Sequence, residues 1–214
     1  MKPAQISTDW IAPDWIAIDW GSSHLRIWAM GMDGRVLAKK TSVEGAGGLQ
    51  SHQFEAVLHA HIDEWLSKDS MPILACGMVG SRQGWVEAPY DKTPTKPAQK
   101  MIRFKGEDSR LDMAIIAGIC QSQPADIMRG EETQIAGFLA MHPDYKGVLC
   151  LPGTHSKWVK IEDGQIIHFK TMLTGELFAL LSKQSVLRHS LGVWDDDYFI
   201  KAVEKQCKQT LVVC

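Results

Sequence analysis

Two turns in this 214-residue chain have the composition of phosphate-binding loops. Gly21-Ser22-Ser23 follows the apolar run 15–20, and Gly153-Thr154-His155-Ser156 follows the apolar run 148–151. A glycine and small hydroxyl residues at the tip of a buried strand leave several backbone N–H groups unshielded. Such a turn wraps phosphate oxygens closely, because no side chain blocks the approach. Asp19 sets a carboxylate beside the first of these anion sites. Adjacent negative groups repel, and a divalent cation between them resolves the conflict; Mg2+ takes few carboxylates and keeps several waters. One Asp-x-Gly-Ser is weak evidence, but paired with the second turn it becomes a two-sided phosphate clamp. The chain has no Gly-x-x-x-x-Gly-Lys-Ser/Thr and no Gly-x-Gly-x-x-Gly, which removes the P-loop and dinucleotide-fold readings.

The elements that must hold these turns follow from the hydrophobic pattern. Residues 15–20 and 25–30 read as strands, and Asp33-Gly34 turns the chain into a third at 35–38. Phe54, Val57, Leu58, Ile62, Trp65 and Leu66 recur at helical spacing and predict a helix over 54–66. Residues 72–76 and 113–117 are short buried strands with glycine at their exits. Between them, 87–108 carries Pro89, Pro94 and Pro97 among charges and reads as an irregular surface excursion. Helices are expected at 131–140 and about 177–191. The order strand, Gly-hydroxyl turn, strand, Asp-Gly turn, strand occurs around Gly21 and again around Gly153, with Asp163-Gly164 closing the second copy. Two Asp-Gly hairpins arise by chance in many α/β chains. The matching first turns make a duplicated domain the better account.

Composition sets the outer bounds. Apolar residues at 45% and charged residues at 22% are ordinary for a globular chain and exclude a fibrous repeat. A formal net charge of −2 provides no basic field for a polyanion, so nucleic acid is not an expected partner. The five scattered cysteines include no Cys-x-x-Cys, which excludes a Cys-based zinc site and fits a reducing cytoplasm. No stretch has the unbroken apolar length of a membrane span. The expectation is a cytoplasmic globular protein whose residues 1–14 form a loose arm.

The run Asp-Trp-Gly-Ser-Ser-His-Leu-Arg at 19–26 resembles the first phosphate motif of the actin, hexokinase and heat-shock chaperone superfamily. Together with GMVGSRQGWVEAPY (77–90), MRGEETQIAG (128–137), LPGTHSKWV (151–159) and TMLTGEL (171–177), the chain resembles the 2-dehydro-3-deoxygalactonokinases, sugar-acid kinases of that superfamily. The resemblance implies an α/β, actin-like (ribonuclease H-like) duplicated ATPase fold. Its first lobe would be complete over 15–146 and its second partial over 147–214. It implies ATP and Mg2+, with Asp19 holding the metal through water. Gly21, Ser22 and Ser23 on one side and Gly153, Thr154 and His155 on the other would bracket the triphosphate. The implied reaction moves the γ-phosphate to the terminal hydroxyl of 2-dehydro-3-deoxygalactonate. Alternatives are another sugar acid or a polyol as substrate, or a non-catalytic remnant that binds sugar acid or phosphate. Family members continue well beyond this chain's end. The expectation is therefore a shortened chain lacking an adenosine cradle, poorly soluble or oligomeric, with little turnover.

Related sugar kinases have Gly-Asp-Gln ahead of their second phosphate turn, and matching glycine to glycine places Glu131 at the base position. Glu132 is the second choice. The plain alternative is that both acids merely favour the first turn of a helix. A sugar acid also needs a cation for its carboxylate, preferably a bidentate arginine. Arg26, Arg82 and Arg129 lie inside matching motifs, and Arg82, in a glycine-flanked loop, is the first choice. Arg129 would serve equally as scaffold, paired with Glu131 or Glu132. Trp85, beside that loop, is the tryptophan most exposed to a role in the substrate pocket; the others read as packing residues. Glu176 reads first as part of a capped helix start, and secondarily as a substrate or phosphate contact.

Overall fold

The computed structural model describes residues 13–193 and 195–210. They fall into two compact units, one ending at Met172 and one beginning at Leu173. The expected arm over 1–14 lies outside the described residues except for Pro13 and Asp14. In the first unit, β1 (Trp15–Trp20), β2 (Leu25–Met30) and β3 (Val36–Ser42) form an antiparallel meander. After α1 (Phe54–Ile62), β4 (Met71–Gly77) enters parallel to β1. There follow β5 (Tyr90–Lys92), β6 (Met101–Lys105), β7 (Leu111–Ile116), β8 (Gly118–Ser122) and β9 (Ala125–Met128). Then come α2 (Glu131–Met141) and a second meander, β10 (Gly147–Leu151), β11 (Ser156–Glu162) and β12 (Gln165–Met172). The main sheet has the order β3-β2-β1-β4-β7-β6; β5-β8-β9 and β10-β11-β12 form two smaller sheets.

Period-two burial explains the main sheet. Ile16, Ile18 and Trp20 point to one face of β1 and are buried there, as are Leu25, Ile27 and Ala29 on β2. On α1 the buried residues Phe54, Leu58 and Ile62 are four apart and cover that face. The Trp20 and Phe54 rings meet at 4.8 Å between centroids. A second core joins β8, β9 and α2 to the second meander through Ile119, Met128, Ile135, Val159, Ile161, Ile166 and Phe169. The compact unit therefore runs past residue 147, where the resemblance implies a lobe boundary.

The repeated motif is repeated structure. Both meanders are antiparallel, and each slips register within its second pairing, at Ala29/Met30 and at Lys160/Ile161. Trp28 faces Lys39 in one, and Trp158 faces Lys170 in the other. The fold class is α/β with a duplicated three-stranded meander.

Several expectations change. The 87–108 excursion is not irregular throughout, because β5 and β6 lie within it and β6 pairs antiparallel with β7 in the main sheet. As an edge strand, β6 turns Met101, Arg103 and Lys105 outward, and these mask the alternation with Ile102 and Phe104. The helix over 54–66 is α-helical only to Ile62 and tightens to a 3-10 turn over Asp63–Trp65. The β8–β9 hairpin is unannounced by the pattern. In the second unit, the helix expected over 177–191 divides into α3 (Gly175–Lys183) and a 3-10 turn, Val186–Ser190, whose start is capped by the Ser185 hydroxyl accepting from Leu187 N–H. An unexpected helix, α4 (Asp196–Thr210), follows. No helix among the described residues is long and apolar enough to cross a membrane.

Candidate active site

The C-terminal tips of β1, β4, β9 and β10 open onto a cleft of about 550 Å3 within the first unit. Asp19, Gly21, Ser22, Arg26, Arg82, Arg129, Glu131, Gly153, Thr154 and His155 all line it. Both Gly-hydroxyl turns thus face one cavity. In the first turn, Gly21 N–H donates to His24 carbonyl at 2.9 Å, and Ser22, Ser23 and His24 are exposed. The loop before α1 holds this turn from behind. Ala46 N–H donates to Gly21 carbonyl at 2.9 Å, and Gly47 N–H to Ser22 carbonyl at 3.0 Å. In the second turn, Gly153 N–H donates to Ser156 Oγ at 3.3 Å.

Two glycines bring the helix α2 up to this sheet edge. Gly77, ending β4, has φ +92°, and a Cβ there would stand 2.6 Å from Trp20 carbonyl oxygen. Gly130, capping α2, has φ +109°, and a Cβ there would stand 3.3 Å from Gly77 Cα. Only residues without side chains permit this approach. It sets the α2 N-terminus, with Glu131, against the tips of β1 and β4.

The two acids that open α2 have different surroundings. Glu131 lines the cleft, and its Oε2 accepts from Arg129 N–H at 3.0 Å. Burial raises its carboxyl above the usual range; its own N–H and the Lys157 ammonium pull it back. Glu132 has no exposed surface and does not reach the cleft. Its oxygens accept from Gly130 N–H at 2.9 and 2.7 Å. Burial pushes its carboxyl up to about 7, opposed by its own N–H and that of Gly130 and reinforced by the charge of Glu131. Cys76, buried near the end of β4, has its thiol pushed up to about 12, chiefly by burial, and is a poor nucleophile at neutral pH.

The arginines also separate. Arg26 donates to Asp19 Oδ2 at 2.7 Å, so its charge is already paired. Arg129 donates to Ala88 carbonyl at 2.7 Å and stacks on Tyr90, its guanidinium carbon 4.3 Å from the ring centroid. Its Nε and one Nη are buried without hydrogen-bond partners among the described residues. Arg82 is exposed at the cleft and has no hydrogen bond or ion pair from its side chain among the described residues. Of the three, it is the free cation.

The family model for 2-keto-3-deoxy-galactonokinase matches residues 19–213. The chain belongs to the 2-keto-3-deoxy-galactonokinase family. It is 39% identical over 178 residues to a probable 2-dehydro-3-deoxygalactonokinase of Rhizobium meliloti, covering 82% of this chain and 58% of the relative. It is 37% identical over 191 residues to a 2-dehydro-3-deoxygalactonokinase of Escherichia coli, covering 86% and 63%. A crystal structure of a 2-dehydro-3-deoxygalactonokinase-type protein from Sinorhizobium meliloti superimposes with a TM-score of 0.76 at 38% identity, over 85% of this chain and 60% of that one. The chain thus spans about three fifths of the length of these relatives.

Within this member of the 2-keto-3-deoxy-galactonokinase family, the cleft collects most of the residues singled out by sequence. Glu132 is buried away from it, and Ser23, though part of the first turn, does not line it. Trp85 is elsewhere: it stacks with Phe54 at 6.3 Å, meets Phe104 edge-on at 5.3 Å, and borders a separate cleft with His52 and His59. Glu176 belongs to the second unit, at the start of α3. Three cleft residues went unremarked: Tyr90, which carries Arg129; Gln134, one turn beyond Gly130; and Lys157. Lys157 had one signal, a lysine at an inward position of β11 next to buried Ser156.

Proposed function

We propose that this chain carries the phosphoryl-transfer site of an ATP-dependent sugar-acid kinase, acting in the cytoplasm on the terminal hydroxyl of 2-dehydro-3-deoxygalactonate. The observation that carries the reading is one cleft lined by both Gly-hydroxyl turns, a partly shielded carboxylate and an unpaired arginine. The turns supply N–H donors to the triphosphate. Arg82 receives the substrate carboxylate as a charge-assisted, bidentate pair. Glu131 is the base rather than Glu132, because Glu132 has no access to a substrate hydroxyl.

In the reaction, Glu131 accepts the hydroxyl proton while the hydroxyl oxygen bonds to the γ-phosphorus. The bond from phosphorus to the bridging oxygen breaks, and its electron pair leaves on ADP. Little covalent chemistry falls to the protein, so positioning and charge do most of the work. Among the described residues no three His, Cys, Asp or Glu side chains gather to enclose a metal. A single carboxylate, Asp19, fits a cation that keeps its waters and takes phosphate oxygens. Bound Mg2+ would offset the phosphate charge there. Arg26 holds Asp19 in place from the neighbouring strand.

A coupled ADP-release assay across 2-keto-3-deoxy sugar acids and polyols tests the reading. What turnover this chain supports is expected with the sugar acid, at a low rate. Turnover with polyols alone would shift the substrate class. Sugar-acid binding without any ADP release would leave a binding protein.

A further inference from the structure

The cleft contains a second cation, and it is buried. Lys157 is 5% exposed, yet it lines the cleft three residues beyond Thr154 of the second phosphate turn. Its Nζ donates to Ile127 carbonyl at 3.0 Å and to Thr171 Oγ1 at 2.8 Å. Both acceptors are neutral, and no ion pair to its ammonium forms among the described residues. An ammonium has three hydrogens to give. The Glu131 carboxylate is near enough to feel this charge but makes no direct contact with it among the described residues, so the third hydrogen can serve an anion that enters the cleft.

The direction of the ammonium is itself held. Thr171 Oγ1 donates to Asp126 Oδ1 at 2.7 Å, and Thr171 N–H donates to Asp126 Oδ2 at 2.9 Å. With its hydrogen committed to Asp126, the hydroxyl turns its lone pairs to Lys157. Asp126 is a carboxylate one hydroxyl away, which moderates the buried charge without cancelling it by contact. Ile127, the other acceptor, is four residues before Glu131 and also borders the cleft. The arrangement therefore spans from the second phosphate turn to the strand that leads to the base.

We propose that Lys157 is a further catalytic residue, whose third ammonium hydrogen goes to the phosphoryl group in transit between ATP and the sugar acid. Thr171 and Asp126 are its positioning residues. The proposal rests on the kinase reading for its reaction, and nucleotide binding provides a readout independent of turnover.

The test uses Lys157→Met, which keeps the stem and removes the charge, and Thr171→Val, which removes only the acceptor that aims it. Affinities for a Mg2+-bound, non-transferable ATP analogue and for ADP are measured by calorimetry, with kcat and KM beside them. Lys157→Met is expected to lose at least tenfold in affinity for the triphosphate and little for ADP, and to lower kcat about 100-fold with a small change in sugar-acid KM. Thr171→Val is expected to show the same pattern about tenfold weaker, and decides the matter if Lys157→Met does not fold. Equal losses for triphosphate and diphosphate, or unchanged kcat in a folded variant, would overturn the proposal and leave Lys157 a strut between β11 and β9. If the wild type releases no ADP, the kinase reading fails, while the preference for triphosphate over diphosphate still judges Lys157.

Discussion

At pH 8 the folded chain must keep a charged carboxylate at Glu132, a side chain with no exposed surface. In the unfolded chain that carboxyl titrates at 4.5, and in the fold burial moves it to about 7. Between those values the folded state binds more protons than the unfolded state, so stability falls as pH rises. The contribution is complete below the unfolded value and lost as pH rises through the folded one. A shift from 4.5 to about 7 corresponds to roughly 3 kcal/mol. Glu132→Gln keeps an oxygen for Gly130 N–H but cannot ionise. Relative to this variant, the natural protein should lose up to about 3 kcal/mol between pH 4.5 and pH 8. Comparing the two proteins removes the carboxylates whose pKa the fold lowers, Asp33, Glu44, Asp108 and Glu162, since both proteins contain them. Glu131, shifted upward by burial, is likewise present in both. Urea unfolding of each protein at steps across that range measures the difference. Parallel stability curves would refute the reasoning, because they would mean that Glu132 finds enough solvent or counter-charge to ionise normally.

Other outcomes follow from the cleft. Glu131→Gln should lower kcat by roughly 100-fold or more with little change in sugar-acid affinity, the scale of a lost general base; steady-state kinetics check it, and wild-type turnover would return the role to Glu132. Arg82→Ala should weaken sugar-acid binding by about 2 kcal/mol and spare a neutral analogue of the same length, since only the acid has a charge to pair. Calorimetry with both ligands separates that from a collapsed loop, which would weaken the two equally. Gly77→Ala should destabilise the first unit by more than about 2 kcal/mol, because φ +92° is strained for alanine and its Cβ would lie 2.6 Å from Trp20 carbonyl oxygen. Thermal unfolding reads this directly, and an unchanged melting temperature would mean that β1 and β4 separate easily at their tips.

Residue order alone determined the two Gly-hydroxyl turns, the duplicated meander around them and the family, because these are local. A Gly-hydroxyl turn, an Asp-Gly hairpin and a period-two strand are each written in a few consecutive residues. Alternation failed where a strand sits at an edge or in a small sheet, as with β6 and the β8–β9 hairpin, since charged outward residues there look like loop. Sequence ranked Glu131 ahead of Glu132 by glycine matching, and Arg82 ahead of Arg26 and Arg129 by its glycine-flanked loop, but the surroundings of each side chain were not in it. Adjacent residues on a helix point about 100° apart, so only packing could place Glu131 in the cleft and Glu132 away from it. The tertiary structure likewise bound Arg26 to Asp19 and Arg129 to Ala88 and Tyr90, leaving Arg82 free. Trp85 turned away into the core beside Phe54. Lys157 entered the site through Ile127 and Thr171, residues 30 and 14 positions distant in the chain. Contacts at such separations depend on how sheets and helix pack, and short-range pattern carries no record of them.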